Sequence, residues 1–299
     1  MENQIRFDSV SDYNAFNQHE TLHPLVTVVD LSKADTRQIK NMYLGLYFVM
    51  LKGVACGDLR YGKQNYDYQE GTLVFFAPGQ VVTLENELYR PNGYALVFHP
   101  GLLHGTALNQ HIHEYSFFSY QTHESLHISE REKQIVLDCL AKIRYELEHA
   151  LDHHSRKLIV SNIELFLDYC KRFYDRQFLT RDTVHKGIIE RFESLLTTYF
   201  LSDKPSMIGL PSVAYFASEL NLSTKYFGDL VRKETGQTAQ DYIQAKLIDV
   251  AKEKIFDQTK TVSEIAFEMG FKYPQHFSRL FKQHVGQTPN AFRGLRNLN

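Results

Sequence analysis

Apolar positions along this chain follow two different periods, and the change of period divides it. From about Leu25 to Tyr120 they come in short aromatic and β-branched runs: Tyr43–Leu51, Thr72–Phe76, Val81–Leu84 and Tyr94–Phe98. Turn formers bound these runs at Gly53, Gly57-Asp58, Gly62, Pro78-Gly79, Pro91-Asn92-Gly93 and Pro100-Gly101. Many short strands, closing into a small barrel or sandwich, are predicted. From about Glu130 the period lengthens. Val136, Leu140, Ile143, Leu147 and Ala150 recur at spacings of 4, 3, 4 and 3, and Ile159, Ile163, Phe166, Cys170 and Phe173 repeat them. Two amphipathic helices split near Asp152–Ser155 make an antiparallel hairpin. Its outer seam either packs on the strands or pairs with a second copy of the chain. The polar Thr180-Arg181-Asp182-Thr183 reads as a linker, with a further helix from about Val184 to Phe200.

The last third repeats itself. Tyr226–Thr238 aligns with His276–Thr288 at an offset of 50, with Phe227/Phe277, Leu230/Leu280, Gly236/Gly286, Gln237/Gln287 and Thr238/Thr288 identical. Upstream, Val213, Ala217 and Glu219 match Val262, Ala266 and Glu268 at an offset of 49, so one residue is gained in the turn between. Each copy reads as helix, tight turn, helix. Thr261-Val-Ser-Glu264 is a capping box, and Ser223 is an N-cap. Pro274 suits a first helical position, where its missing N–H costs nothing. Asn221 and Gly270 tolerate the left-handed turn conformation, and Gly236 and Gly286 end the second helices.

With Phe277, Leu280, Phe281 and His284 turned inward, the second helix of the second copy presents Gln275, Ser278, Arg279 and Lys282 outward. Glutamine pairs bidentately with adenine and arginine with guanine in the major groove. The first copy presents Lys225, Gly228, Asp229 and Arg232, a face suited to phosphates more than to bases. A helix from Thr238 to Phe256 joins the copies. Its length of roughly 28 Å is comparable to one DNA turn of roughly 34 Å.

Charge supports this only through its distribution. The whole chain carries −2, but residues 181–299 hold 16 Lys+Arg against 13 Asp+Glu, whereas residues 1–180 hold 17 against 22. Residues 258–299 have six cations (Lys260, Lys272, Arg279, Lys282, Arg293, Arg296) and two acids. The first nine residues contain no apolar leader, and the longest apolar-rich run, Met42–Leu51, is about half of what spans a bilayer. A soluble, cytoplasmic chain without a membrane partner is expected. Cys56, Cys139 and Cys170 form no close pair, as expected of reduced, buried thiols.

Val262-Ser-Glu-Ile-Ala-Phe-Glu-Met-Gly-Phe271, followed by His276-Phe-Ser-Arg-Leu-Phe-Lys282 and Gly286-Gln-Thr-Pro-Asn-Ala-Phe-Arg293, resembles the signature of the AraC/XylS family of transcription regulators. The resemblance runs from about Val184 to Arg296. It implies recognition helices in successive major grooves of double-stranded DNA upstream of promoters, and activation through RNA polymerase. Base-reading positions carry over to Lys225, Gly228 and Asp229, and to Gln275 and Arg279. Gly228 and Asp229 depart from the basic or amide residues often found there. The expected DNA-contacting set is Lys225, Tyr226, Asp229, Arg232 and Lys233 in the first unit, and Gln275, His276, Ser278, Arg279 and Lys282 in the second. More loosely, Glu70–Gly79 resembles the central strand and turn of a cupin-like sensor domain, and the hairpin resembles the family's dimerising segment. The implied class is an α+β multidomain chain. Residues 1–128 would form a cupin-like β-barrel open to a small-molecule effector, 129–180 a helical hairpin supporting a homodimer, and 181–299 an all-α domain with two helix-turn-helix motifs.

The sensor half offers no clear chemistry. His99, His104, His111, His113, His123 and His127 are scattered, and no histidine lies between Gly71 and Pro78-Gly79, where cupins usually place metal ligands. No metal, cofactor or catalytic residue is expected. Tyr43, Tyr47, Phe75, Phe98 and His99 are candidates for the barrel mouth, or else for its core. A cupin-type metal enzyme with an accessory helical domain is the competing reading. A DNA-repair protein sharing the C-terminal module ranks third, since it needs an activated cysteine.

Overall fold

A computed structural model describes residues 4–35, 37–52, 71–83, 88–89, 92–150, 152–180 and 182–294. The chain divides into two compact units, residues 1–180 and 181–299.

The first unit opens with β1 (Gln4–Phe7), α1 (Val10–Phe16), β2 (Val26–Asp30), β3 (Arg37–Gln38), β4 (Asn41–Leu44) and β5 (Tyr47–Lys52). It continues with β6 (Thr72–Phe76), β7 (Gln80–Thr83), β8 (Leu88–Tyr89), β9 (Gly93–Phe98), α2 (Ala107–His111) and β10 (Leu126–His127). The helices α3 (Glu130–Glu148) and α4 (Ser155–Thr180) complete it. A three-stranded sheet runs β1-β4-β7, a five-stranded antiparallel sheet runs β10-β6-β5-β9-β2, and β3 pairs with β8. Phe7, Val29, Leu44, Phe48, Val82 and Val97, drawn from both larger sheets, share one buried core.

The run Tyr43–Leu51, expected as one strand, is two. It changes sheets at Gly45, whose amide donates to the Phe7 carbonyl at 2.8 Å. A Cβ there would lie 2.9 Å from Asp8 Oδ1 and 3.0 Å from Phe7 O, so only glycine lets the strands approach at this corner. The strand-rich reading up to Tyr120 also stops early, at Phe98. Beyond it the chain forms α2 and short 3₁₀ turns, at 100–103, 112–114, 116–119 and 122–124. Their aromatic residues are held by a helix instead of by strand pairing: Phe117 stacks on Tyr174 of α4 at 5.4 Å and meets Phe75 at 4.4 Å. Of the proposed mouth residues, Phe75 and Phe98 are 3% and 0% exposed, and Tyr47 stacks on Phe98 at 4.9 Å. Tyr43 lies on the other sheet beneath the Arg6 guanidinium. Phe75 and Phe98 therefore build core, and Tyr43, half-buried on the other sheet, does not join them.

The hairpin follows the predicted periods, except that α3 ends at Glu148 and leaves Ala150 exposed. Ser129 caps α3 with Glu132, and Glu132 also binds Arg176 of α4 at 2.7 Å, setting the helix register. The predicted linker is helical at Thr180, Asp182 and Thr183, because polarity without glycine or proline does not stop a helix; Arg181 lies outside the described residues. Cys139 and Cys170 are 3% and 0% exposed, and burial pushes both thiols up, away from the activated state a repair nucleophile needs. Cys56 lies outside the described residues.

The second unit is helical: α5 (Asp182–Leu201), α6 (Lys204–Ile208), α7 (Val213–Glu219), α8 (Thr224–Thr235), α9 (Ala239–Ile255), α10 (Val262–Glu268), α11 (Pro274–Val285) and α12 (Pro289–Gly294). A single apolar core runs through it. Phe192 of α5 meets Phe216 and Phe227 at 5.2 and 5.0 Å, while Phe281 packs on Phe277 and Phe292 at 5.8 and 5.5 Å. The repeated pair Phe227 and Phe277 is fully buried, which explains their identity in both copies. Among the described residues no helix is long and apolar enough to cross a membrane.

Candidate nucleic-acid interface

Each recognition helix is positioned by local chemistry that the repeat spells out. In α7, Ser212 accepts from the Tyr215 amide, and in α8 Ser223 accepts from the Tyr226 amide at 3.1 Å. In α10 the capping box closes reciprocally: Thr261 Oγ1 accepts from the Glu264 amide at 3.2 Å, and the Thr261 amide donates to Glu264 Oε2 at 2.6 Å. These bonds hold the Glu264 carboxyl below its usual range. A lowered folded value means its stabilisation is present above the ordinary carboxylate range and fades as pH falls through the lowered one. Replacing Thr261 with alanine is expected to destabilise the unit by about 1 kcal/mol. Urea unfolding of the full chain measures this, and an unchanged midpoint would show the cap to be dispensable.

The two turns close in the same way. Asn221 and Gly270 adopt φ of 56° and 91°. The next amides, Leu222 and Phe271, each donate at 2.9 Å to the carbonyl of the matched alanine, Ala217 or Ala266. This is the six-to-one bond of a Schellman end. The second turn holds one residue more, which is the offset slip seen in the repeat. Gly236 and Gly286 end α8 and α11 at φ of 73° and 82°.

The second turn also meets something the first does not. A Cβ on Gly270 would lie 2.7 Å from Gly209 C and 2.8 Å from Gly209 O and Pro205 O, at the end of α6. The Gly209 carbonyl is itself held by the Tyr199 hydroxyl at 2.9 Å. Thus α5 and α6 brace the second helix-turn-helix through bare backbone. Neither α6 nor this contact is legible in the repeat, because α6 has no counterpart in it.

On α11, Gln275, His276, Arg279 and Lys282 are exposed and Ser278 is half-buried; Phe277 and Phe281 are fully buried. His284, expected to face inward, is exposed. It lies in the last turn, where burial of Phe281 and partial burial of Val285 complete the apolar stripe. On α8, Lys225, Arg232 and Lys233 are exposed, and Gly228 and Asp229 are half-buried. Tyr226 is 5% exposed, so its side chain is removed from the outward face; its repeat partner His276 keeps that place. Repeat alignment equates these two positions but cannot show that only one of them is buried.

The C-terminal positive charge is smaller at this face than the sequence count suggests. Lys260 binds Glu268 at 2.6 Å, and Arg293 Nε donates to the Ile255 carbonyl at 2.6 Å, capping the negative end of α9. Arg296 lies outside the described residues. Lys272, Arg279 and Lys282 are exposed and, among the described residues, form no ion pair. The linking helix α9 has 17 residues between the caps Thr238 and Phe256, so it spans about 26 Å.

In the first unit the histidines serve local roles. His99 Nδ1 accepts from the Gly101 amide at 2.9 Å, His111 pairs with Glu164 at 3.2 Å, and His127 Nδ1 lies 3.3 Å from Thr72 Oγ1. Among the described residues no three His, Cys, Asp or Glu side chains stand together as metal ligands.

Comparison with known proteins follows this division. A family profile described as a helix-turn-helix domain matches residues 216–294. The Tn10 transposon protein TetD of Escherichia coli is 31% identical over 144 residues, which are 48% of this chain and 91% of TetD. The chain belongs to the AraC/XylS family. The uncharacterized HTH-type transcriptional regulator YfiF of Bacillus subtilis is 27% identical over 163 residues, 54% of this chain and 48% of YfiF, so the chain spans about half of that relative's length. Among solved structures, a Chromobacterium violaceum transcriptional regulator with an AraC-type DNA-binding domain is 20% identical, covering 37% of this chain and 93% of that one, with a TM-score of 0.33. The AraC/XylS match falls on the unit that carries both recognition helices, and Arg279, Gln275 and Lys282 lie within it.

Proposed function

We propose that this chain is a sequence-specific double-stranded DNA-binding regulator that activates transcription, with α11 reading bases and α8 gripping the phosphate backbone. The carrying observation is the pair of repeated helices on one apolar core, each entered through a left-handed turn and carrying exposed cations. Arg279 and Gln275, one helical turn apart, supply bidentate donors for guanine and adenine. Lys225, Arg232, Lys233, Lys272 and Lys282 supply phosphate contacts.

The same reading assigns the first unit, residues 1–128 with the hairpin 129–180, to sensing and dimerisation. Its two facing sheets support a cupin-like sensor for a small-molecule effector. Leu158 and Leu165 of α4, seven residues apart and 45% and 41% exposed, support a helix–helix homodimer seam. RNA polymerase is the partner an activator of this family would meet, and the cytoplasm is where it would act. No cofactor is assigned.

The test is a mobility-shift series with a duplex selected by the full-length chain from a random library, against its scrambled counterpart. Preference for the selected duplex supports the reading, and equal affinity for both sinks it. Five phosphate contacts predict that log K falls against log salt with a slope of roughly −4 to −5. Lys282→Ala is expected to reduce that slope by about 1 while weakening all sequences alike. A slope unchanged by this substitution would remove Lys282 from the interface.

A further inference from the structure

A cleft of about 500 Å³ lies between α5 and α9, wholly within the second unit. Glu190, Glu193, Ser194 and Thr197 line it from α5, and Tyr242 and Lys246 from α9. Spacings of three and four residues put each set on one strip of its helix. Tyr242 joins the two strips: its ring rests on Phe192 of α5 at 5.5 Å, and its hydroxyl donates to Glu193. Burial, then that bond, pushes the Tyr242 hydroxyl up to about 12, so it remains a donor at neutral pH. Glu190 and Lys246 are left over. They carry opposite charges in one cleft, yet neither forms an ion pair or a hydrogen bond among the described residues. Lys246 is half-buried there, and a lysine that gives up water ordinarily has a counterion. The volume falls within the range of small-molecule sites.

We propose that this cleft binds a small zwitterion, its ammonium held by Glu190 and Glu193 and its carboxylate by Lys246. Ser194 and Thr197 add hydroxyl hydrogen bonds. A free amino acid is the simplest molecule of this class. The opposed charges set the direction in which it lies, and a ligand of one charge would leave Glu190 or Lys246 unanswered. The site falls within residues 181–299, whereas effector sensing is assigned above to residues 1–128, and it does not rest on the DNA-binding reading.

The experiment is thermal unfolding of the full-length chain with each common free amino acid added singly. Its N-acetyl and amide derivatives, which keep one charge each, are measured beside it. At least one amino acid is expected to raise the melting temperature by about 2 °C or more at a concentration well above its dissociation constant. Its one-charge derivatives should not. Glu190→Gln and Lys246→Met are each expected to weaken that binding about tenfold or more, read as the concentration giving half the shift. Each variant's shift is taken from its own melting without ligand, so a change in fold stability does not obscure it. A wild type stabilised by no amino acid overturns the proposal. So does binding that either variant keeps at full strength, since the ligand would then sit elsewhere, and so does an equal shift with a one-charge derivative. Duplex selection plays no part in these measurements, so their failure leaves the DNA-binding reading standing.

Discussion

Replacing Gly270 with alanine is expected to destabilise the second unit by about 2–5 kcal/mol. Two costs add. At φ of 91° an alanine Cβ crowds the following carbonyl, a penalty of about 1–2 kcal/mol. The same Cβ would stand 2.7 Å from Gly209 C, against backbone that has no rotamer with which to yield. Overpacking of that kind costs about 1–3 kcal/mol. The Tyr199 hydroxyl fixes the Gly209 carbonyl from the far side, so relief by moving α6 would break that 2.9 Å bond. Chemical denaturation of the full-length chain reads the loss directly. Asn221→Gly, at the matched turn, is the control: glycine keeps the left-handed φ and adds no Cβ, so it should lose less stability than Gly270→Ala. Equal stability of the Gly270→Ala protein and wild type would mean that α6 does not press on the turn in solution.

Arg279→Ala is expected to lower affinity for the selected duplex by about 1–3 kcal/mol, or roughly 5- to 150-fold, and to flatten the preference at one base pair. Arg279 is exposed and forms no ion pair among the described residues, so its removal leaves no buried charge behind and fold stability should not change. The loss on scrambled DNA should be much smaller, because one phosphate-range charge contributes only modestly to non-specific binding. Lys282→Ala behaves oppositely, weakening both duplexes in proportion. Selection of a fresh consensus with each variant distinguishes them: Arg279→Ala should relax one position, and Lys282→Ala none. If both variants lose affinity uniformly, α11 holds backbone and does not read bases.

These two substitutions also separate what can be read along a chain from what cannot. The repeat, its caps and its turn residues were all legible, because capping, left-handed φ and amphipathic period depend on residues within a turn or two of each other. Ser223, Thr261, Pro274, Gly236 and Gly286 stand where local rules place them. The outward set on α11 was legible for the same reason, apart from His284. The sheets were read less well. Tyr43–Leu51 looks like one strand by composition, but the close passage of Asp8 and Phe7 at Gly45 sends it from one sheet to the other.

Sequence by itself therefore determined that this chain carries two helix-turn-helix units, with Gln275 and Arg279 one turn apart on the second and Gly228 and Asp229 at the matching face of the first. Tertiary structure decided which of the repeated positions face outward, taking Tyr226 into the interior and leaving His276 at the surface. It also decided that Arg293 and Lys260 serve the fold, and that Gly270 is needed for contact as well as for φ. The physical reason is range. A helix cap is settled by atoms three residues apart, whereas Gly270 meets Gly209, and Arg293 meets Ile255, only once the helices between them have packed.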